Sequence, residues 1–135
     1  EVNSILAMIA PGAKLSGDYK AQAVIEAQKE PSGIGFDGKH PIFHGIKNFW
    51  EGVTTSHITL GGGLAPVCRD SSKQVLMAVL DEGGKTGRLI VHGGYTTFYP
   101  DPFIDKPGAA RLGVNMAGWL AGVDKASGAE VAGVP

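Results

Sequence analysis

The sequence predicts a layered α/β domain in which a central sheet lies between helices. Two apolar runs of strand length, Gln74–Leu80 and Arg88–Gly94, are separated by a charged, glycine-rich segment, which is the pattern of a hairpin. The runs are continuously apolar rather than alternating, so both faces of this sheet are expected to be covered. Helical spacing of apolar residues occurs near both ends of the chain. Helices around buried strands are typical of the α/β class.

Composition limits the classes of protein that this chain can belong to. It has 135 residues, of which 43% are hydrophobic and 19% charged, as in a globular domain. We expect one domain over residues 1–124 and a loose tail over residues 125–135. The net charge of −1 provides no basic excess for nucleic acid, and no apolar run is long enough to insert into a membrane. The single cysteine, Cys68, excludes an intrachain disulfide and favours a reducing compartment, but the sequence does not otherwise indicate a location.

The first elements are a helix and an ambiguous segment. Val2–Ala10 has helical spacing of its apolar residues and ends at Pro11. No capping segment precedes this helix, so we expect further chain upstream. Lys14–Gln28 fits either a helix that opens near Ser16 or a loop that leads into a short strand over Ala23–Ala27, and we favour the loop and strand.

The later elements have clearer signals. Val53–Leu60 is rich in β-branched residues and predicts a strand, whereas Pro66 makes Leu64–Cys68 an edge strand at best. A helix closes the domain, with Asp105 as its cap and Gly122 at its end. Its apolar face is formed by five residues with helical spacing: Leu112, Met116, Trp119, Leu120 and Val123.

Four segments resemble a known family: "LSGDY", "GKHPIFHGI…EGVT", "GRLIVHGGYTTFY" and "GAARLGVNMAGWLAG". In this order they are similar to the C-terminal part of a non-catalytic class I glutamine-amidotransferase-like domain. Such domains occur in uncharacterised proteins, some of which carry von Willebrand A domains. The resemblance covers roughly Val2 to Gly122. It implies a flavodoxin-like layered sheet with flanking helices that here lacks the first one or two strands.

The resemblance also implies a domain that catalyses no reaction. Cys68 lies in "APVCRD", beside a proline, rather than in the "G-x-C-x-G" setting of an amidotransferase nucleophile, and no "H-x-E" follows the last strand. We therefore expect a non-catalytic protein-interaction or structural module within a larger protein or assembly. Its partners would be other protein chains or the missing upstream part of the same protein. No cofactor and no metal are expected, because the pair His40 and His44 has no evident third ligand.

An alternative function places a ligand at the end of the glycine-terminated strand. Ligands of open α/β sheets bind at the carboxyl ends of strands, where backbone N–H groups can hold an anion. The candidate ligand-binding residues are Asp18, His92, Gly93, Gly94, Tyr95, Thr96 and Thr97. The domain would then be a hydrolase-type enzyme or a binder of a small sugar or anion. The segment matches no phosphate-binding or nucleophile motif, however, and a structural turn is the favoured interpretation.

Overall fold

The computed structural model describes residues 1–82, 87–99 and 108–123. Within these ranges the chain forms two α-helices and eight strands, with a short 3-10 helix over Pro41–Phe43 and another over Tyr95–Phe98. In chain order the helices and strands are α1 (Val2–Ile9), β1 (Lys14–Lys20), β2 (Val24–Glu26), β3 (Gly35–Phe36), β4 (Asn48–Trp50), β5 (Thr54–Thr59), β6 (Ala65–Arg69), β7 (Val75–Asp81), β8 (Arg88–His92) and α2 (Ala109–Leu120). The expected tail over residues 125–135 and the expected helix cap Asp105 lie outside the described residues.

The strands form small antiparallel sheets. One sheet has four strands in the order β3-β6-β7-β8, and two further pairs are β1-β5 and β2-β4. The predicted flavodoxin-like layered sheet with flanking helices is therefore wrong. A parallel sheet needs a crossover of a dozen or more residues between neighbouring strands. The links between the neighbouring strands β6, β7 and β8 are too short for that, since only five residues separate β6 from β7, and every ladder between the strands is antiparallel.

The hairpin predicted from the two apolar runs is confirmed. β7 and β8 pair antiparallel, with Met77 opposite His92 and Leu80 opposite Leu89. Every residue of β7 from Val75 to Leu80 is buried. Both faces of β7 are therefore covered, as predicted. Other strands pack against much of β7, however, where helices were expected.

Two groups of buried side chains stabilise the domain, and β7 contributes to both. The first core comprises Ile25, Phe36, Ile42, Phe43, Phe49, Val67, Cys68, Leu76, Met77, Val79, Leu112 and Trp119. The second core comprises Leu6, Ala10, Ala13, Ile58, Leu64, Val75, Ala78, Leu80 and Val91. Burial of apolar surface on this scale is the dominant favourable term in folding.

Two strands differ from their sequence-based expectations. β1 occupies the segment expected to be a loop and pairs with β5; its side chains are largely exposed, so the sequence carries no apolar alternation. β6 lies between β3 and β7 and is not an edge strand. Its ladder with β7 is irregular between Pro66 and Cys68, and such an irregularity tolerates a residue without an N–H group.

Helix α2 covers one side of the first core. Leu112 and Trp119 are buried as expected, whereas Leu120 is exposed. The Asn115 amide donates hydrogen bonds to the carbonyl oxygens of Ile42 (3.0 Å) and His44 (2.9 Å). These bonds join α2 to the 3-10 helix over residues 41–43. The chain leaves the helix at Gly122, whose φ of +76° suits glycine.

Candidate functional site

The two glycines at the end of β8 lie against backbone. Gly93 donates to the Leu76 carbonyl oxygen and accepts from the Ser56 amide, both at 2.8 Å. A Cβ on Gly93 would overlap the Ser56 carbonyl oxygen, and one on Gly94 would lie 2.6 Å from the Glu51 carbonyl oxygen. Only glycine permits so close an approach of two backbones. On the side where a side chain would project, neither glycine leaves room for a ligand.

The other predicted ligand-binding residues divide into two places. The Thr97 hydroxyl donates to the Glu51 carbonyl oxygen (2.8 Å), and the Thr96 hydroxyl accepts from the Val53 amide (2.7 Å). Both threonines are buried, whereas Tyr95 is exposed. Asp18 is exposed on β1, where the ladder with β5 is irregular. The structure thus joins His92 to Thr97 in one hydrogen-bonded segment and places Asp18 on a different element, and their role in ligand binding stays a prediction.

His92 is held neutral by its surroundings. Its Nε2 is buried without a hydrogen-bond partner among the described residues, and its ring lies 5.7 Å from that of Phe98. Burial lowers the pKa of His92 from 6.5 to about 4, because the charged form loses its hydration. A neutral imidazole is therefore the form present at neutral pH.

A buried carboxylate that the sequence did not reveal lies beside this segment. Glu51 is fully buried. Its Oε1 accepts from the Ala23 amide (3.0 Å) and the Ser71 hydroxyl (2.7 Å), and its Oε2 accepts from the Ser71 amide (2.9 Å). The side chain therefore joins the start of β2 to the turn between β6 and β7. Nothing in the surrounding "FWEGV" signals that this glutamate is buried.

A second buried carboxylate holds the same turn. Asp70 Oδ1 accepts from the amides of Ser72 (2.9 Å) and Gln74 (3.1 Å), and from the Ser72 hydroxyl (2.6 Å). Its Oδ2 lies 3.0 Å from His57 Nε2. The His57 ring stacks on Tyr19 at a centroid distance of 3.7 Å. An aspartate followed by two serines is a turn signal, although its link to His57 has no counterpart in the sequence pattern.

This polar network has the features of a structural element. Both carboxylates accept bonds from backbone amides of one turn, which stabilises that turn. Burial, and then the negative charges of Glu51 and Asp70, raise the pKa of the Cys68 thiol well above its usual value, so it is not a thiolate nucleophile at neutral pH. Within residues 1–82, 87–99 and 108–123, no group of three or more His, Cys, Asp or Glu residues could hold a metal ion.

The most exposed apolar surface of any described helix belongs to α1. Four of its large apolar side chains are exposed: Val2 (57%), Ile5 (58%), Met8 (85%) and Ile9 (49%). At 100° per residue these four side chains occupy adjoining directions around the helix, next to that of Leu6. Leu6 is the one residue of α1 that is buried. We call Val2, Ile5, Met8 and Ile9 the α1 apolar face.

Comparisons with known proteins neither support nor oppose the resemblance. No protein-family model, curated protein or solved structure matches the chain. The similarity to amidotransferase-like domains therefore stays a prediction from the sequence. Neither of the helices that the structure describes is long and apolar enough to cross a membrane.

Proposed function

We propose that this domain is a non-catalytic protein-interaction module that binds another protein chain through the α1 apolar face. The observation that carries the proposal is a helix that exposes four large apolar side chains and buries one. Single exposed apolar residues are common, but a contiguous group on one element marks an interaction site. The partner would cover the face and bury its apolar surface, which is the main source of association energy.

The α1 apolar face is held in position by the domain itself. The Asn3 side chain donates to the Leu15 carbonyl oxygen (2.9 Å) and accepts from the Leu15 amide (2.8 Å). Ala10, directly after the helix, is buried in the second core. A partner would therefore find the helix already ordered, and little conformational entropy would be lost on binding.

The proposal that the domain is non-catalytic rests on the environment of its buried polar side chains. Glu51 and Asp70 are engaged by backbone amides of the β6–β7 turn, and Cys68 is a buried thiol with a raised pKa. Nε2 of His92 has no hydrogen-bond partner among the described residues. The sequence resemblance to domains without the amidotransferase nucleophile supports the same proposal.

Photo-crosslinking tests the interaction in the cells that produce the protein. A benzophenone amino acid replaces Met8 on the apolar face in one variant and Ala7, exposed on the opposite side of α1, in the other. We expect a crosslinked adduct of defined mass from position 8 and at least tenfold less from position 7. Equal or absent crosslinking at both positions would contradict the proposal.

A charge on the apolar face provides the second arm of this test. Ile5→Glu should reduce the crosslink from position 8 at least tenfold, because a buried unpaired charge opposes association. Ala7→Glu adds the same charge on the other side of the helix and should leave the crosslink intact. Circular dichroism verifies that both variants are folded. An adduct that survives Ile5→Glu would show that the contact does not depend on this face.

A further inference from the structure

A groove beside β2 marks a gap in the sheet. Its volume is about 570 Å³, and its walls include β2, Ile34 and the β6–β7 turn at Ser71 and Lys73. The groove contains no residue of α1, so it is separate from the α1 apolar face. Because β2 forms one wall of the groove, the direction of each β2 backbone group decides whether that group faces the groove.

The register of β2 with β4 fixes where its backbone groups point. Ala21 donates to the Val53 carbonyl oxygen (3.1 Å), and Ala23 accepts from the Glu51 amide (3.0 Å). Hydrogen-bonded and non-hydrogen-bonded pairs alternate in an antiparallel ladder. Val24, which is opposite Trp50, therefore belongs to a non-hydrogen-bonded pair. Its N–H and C=O groups, and the N–H of Glu26, point away from β4.

β3 is the strand that could pair with these groups of Val24 and Glu26, but its chain turns away from β2 before it reaches them. Ala27 forms a parallel bridge with Phe36, and Gln28 donates to the Phe36 carbonyl oxygen (2.9 Å). Continued for two residues, this register would bring Ile34 beside β2. The chain instead turns away at Gly35 (φ +111°), and the Gln28 side chain binds the Gly33 carbonyl oxygen (2.8 Å). The position next to Val24 in the ladder is thus open to the groove.

We propose that this groove binds an extended peptide segment of another protein by strand addition, with an apolar residue and an acidic residue side by side. The peptide backbone would pair with the Val24 N–H and C=O groups and the Glu26 N–H group, as in other cases of strand addition. Its apolar side chain would contact Val24 and Ile34, which are 51% and 43% exposed. An antiparallel peptide uses all three groups, because the residue opposite Val24 both donates to it and accepts from it, and the C-terminal side of the peptide then lies toward the start of β2.

Charge determines where the acidic residue of the peptide lies. Ser71 is tied through Glu51 to Ala23, so Ser71 and Lys73 stand at the start of β2. Glu26 ends the strand, and Glu30 lies beside Gly33 at the other wall. Lys29 also lines the groove, so the charged lining residues other than Lys73 have a net charge of −1, against +1 at Lys73. The length of β2 is roughly 10 Å at about 3.3 Å per residue. A carboxylate is therefore attracted to the Lys73 end and repelled from the other.

The probe for this site is an acetylated, amidated pentapeptide of sequence TVTVD, titrated into the isotope-labelled protein. We expect the amide signals of Val24 and Glu26 to shift, and hydrogen exchange at both amides to slow at least tenfold at saturation. The same peptide with methylated valine nitrogens cannot donate from those positions and should bind at least tenfold more weakly. The TVTVK peptide should bind several-fold more weakly, because Lys73 repels its charge.

Two variants locate the binding to the gap. Val24→Pro removes the exposed N–H group in a place where edge strands tolerate proline, and it should weaken TVTVD binding at least tenfold. Val24→Ile keeps the N–H group and an apolar, β-branched side chain, and it should lose far less affinity than Val24→Pro. The proposal is overturned if millimolar peptide causes no shifts at Val24 and Glu26, or if the methylated peptide binds equally well. The methylated peptide decides the matter even if Val24→Pro does not fold.

Discussion

The Glu51 carboxylate joins the start of β2 to the β6–β7 turn through three hydrogen bonds. In Glu51→Gln an NH₂ group replaces one carboxylate oxygen. A buried donor of Ala23 or Ser71 then faces this NH₂ group and loses its acceptor. Such a loss costs about 1–3 kcal/mol. We expect the free energy of unfolding, measured by urea titration, to fall by about 2 kcal/mol. Glu30→Gln, the same change at an exposed glutamate, should change it little, and equal effects of the two variants would contradict the structural role of Glu51.

His92 makes the stability of the domain depend on pH. Its folded-state pKa of about 4 lies below its ordinary value of 6.5, because burial disfavours the charged ring. Between these values the unfolded state binds the proton more tightly, so acid favours unfolding. The contribution of the neutral His92 ring to the free energy of unfolding is complete above pH 6.5. It is lost as the pH falls toward 4, by up to about 3 kcal/mol.

Replacing His92 with glutamine tests this dependence. Urea unfolding of His92→Gln between pH 7 and pH 4 should show a shallower loss of stability than the wild type, because the variant has no imidazole at this position to take up the proton on unfolding. His44→Gln is the control, since it removes an exposed histidine. A pH dependence that both variants change equally would assign the effect to something other than the burial of His92.

At the scale of the element, α2 is docked by polar as well as apolar contacts. The Asn115 amide reaches two backbone carbonyl oxygens of the segment around the first 3-10 helix. Asn115→Ala leaves both without this donor in a buried setting, and we expect a loss of about 2 kcal/mol. Ala117→Ser, on the exposed side of the same helix, should change the urea midpoint little. A midpoint unchanged in Asn115→Ala would mean that α2 is held by its apolar face alone.

The elements that the sequence predicted are those with a pattern of apolar residues. α1, β5, the β7–β8 hairpin and α2 each carry a run or a periodicity of apolar residues, and each is present. β1 is largely exposed, so burial leaves no pattern in its sequence. Its strand conformation comes from pairing with β5, a contact between distant parts of the chain that local propensity does not encode.

The candidate site was predictable only in part. The sequence indicated either a ligand-binding site or a structural turn at the glycines that end β8, and in the structure two backbones approach each other closely there. What approaches is the chain itself, through Ser56 and Glu51, and that depends on the tertiary path. The groove beside β2 is equally hidden, because it arises where β3 departs from a register set by residues far apart in sequence.

For the whole molecule, continuous apolarity led to the wrong fold class for a physical reason. A strand buried on both faces has the same composition whether helices or other strands cover it. Here β7 is the second strand from one edge of an antiparallel sheet. It contributes Leu76, Met77 and Val79 to the first core and Val75, Ala78 and Leu80 to the second. One short strand therefore connects the two cores.

That arrangement predicts that the two cores unfold together. Leu76→Ala removes a fully buried side chain from the first core and should cost about 2–5 kcal/mol. In a Trp50→Phe background, tryptophan fluorescence reports on the first core through Trp119, and hydrogen exchange at the Ile58 amide reports on the second. Because β7 belongs to both, we expect the two probes to lose the same free energy, whereas Leu60→Ala, at a partly exposed site, should change either little. If Ile58 kept its wild-type protection in Leu76→Ala, the second core with α1 would be an independent unit, and a partner on the α1 apolar face would stabilise that unit alone.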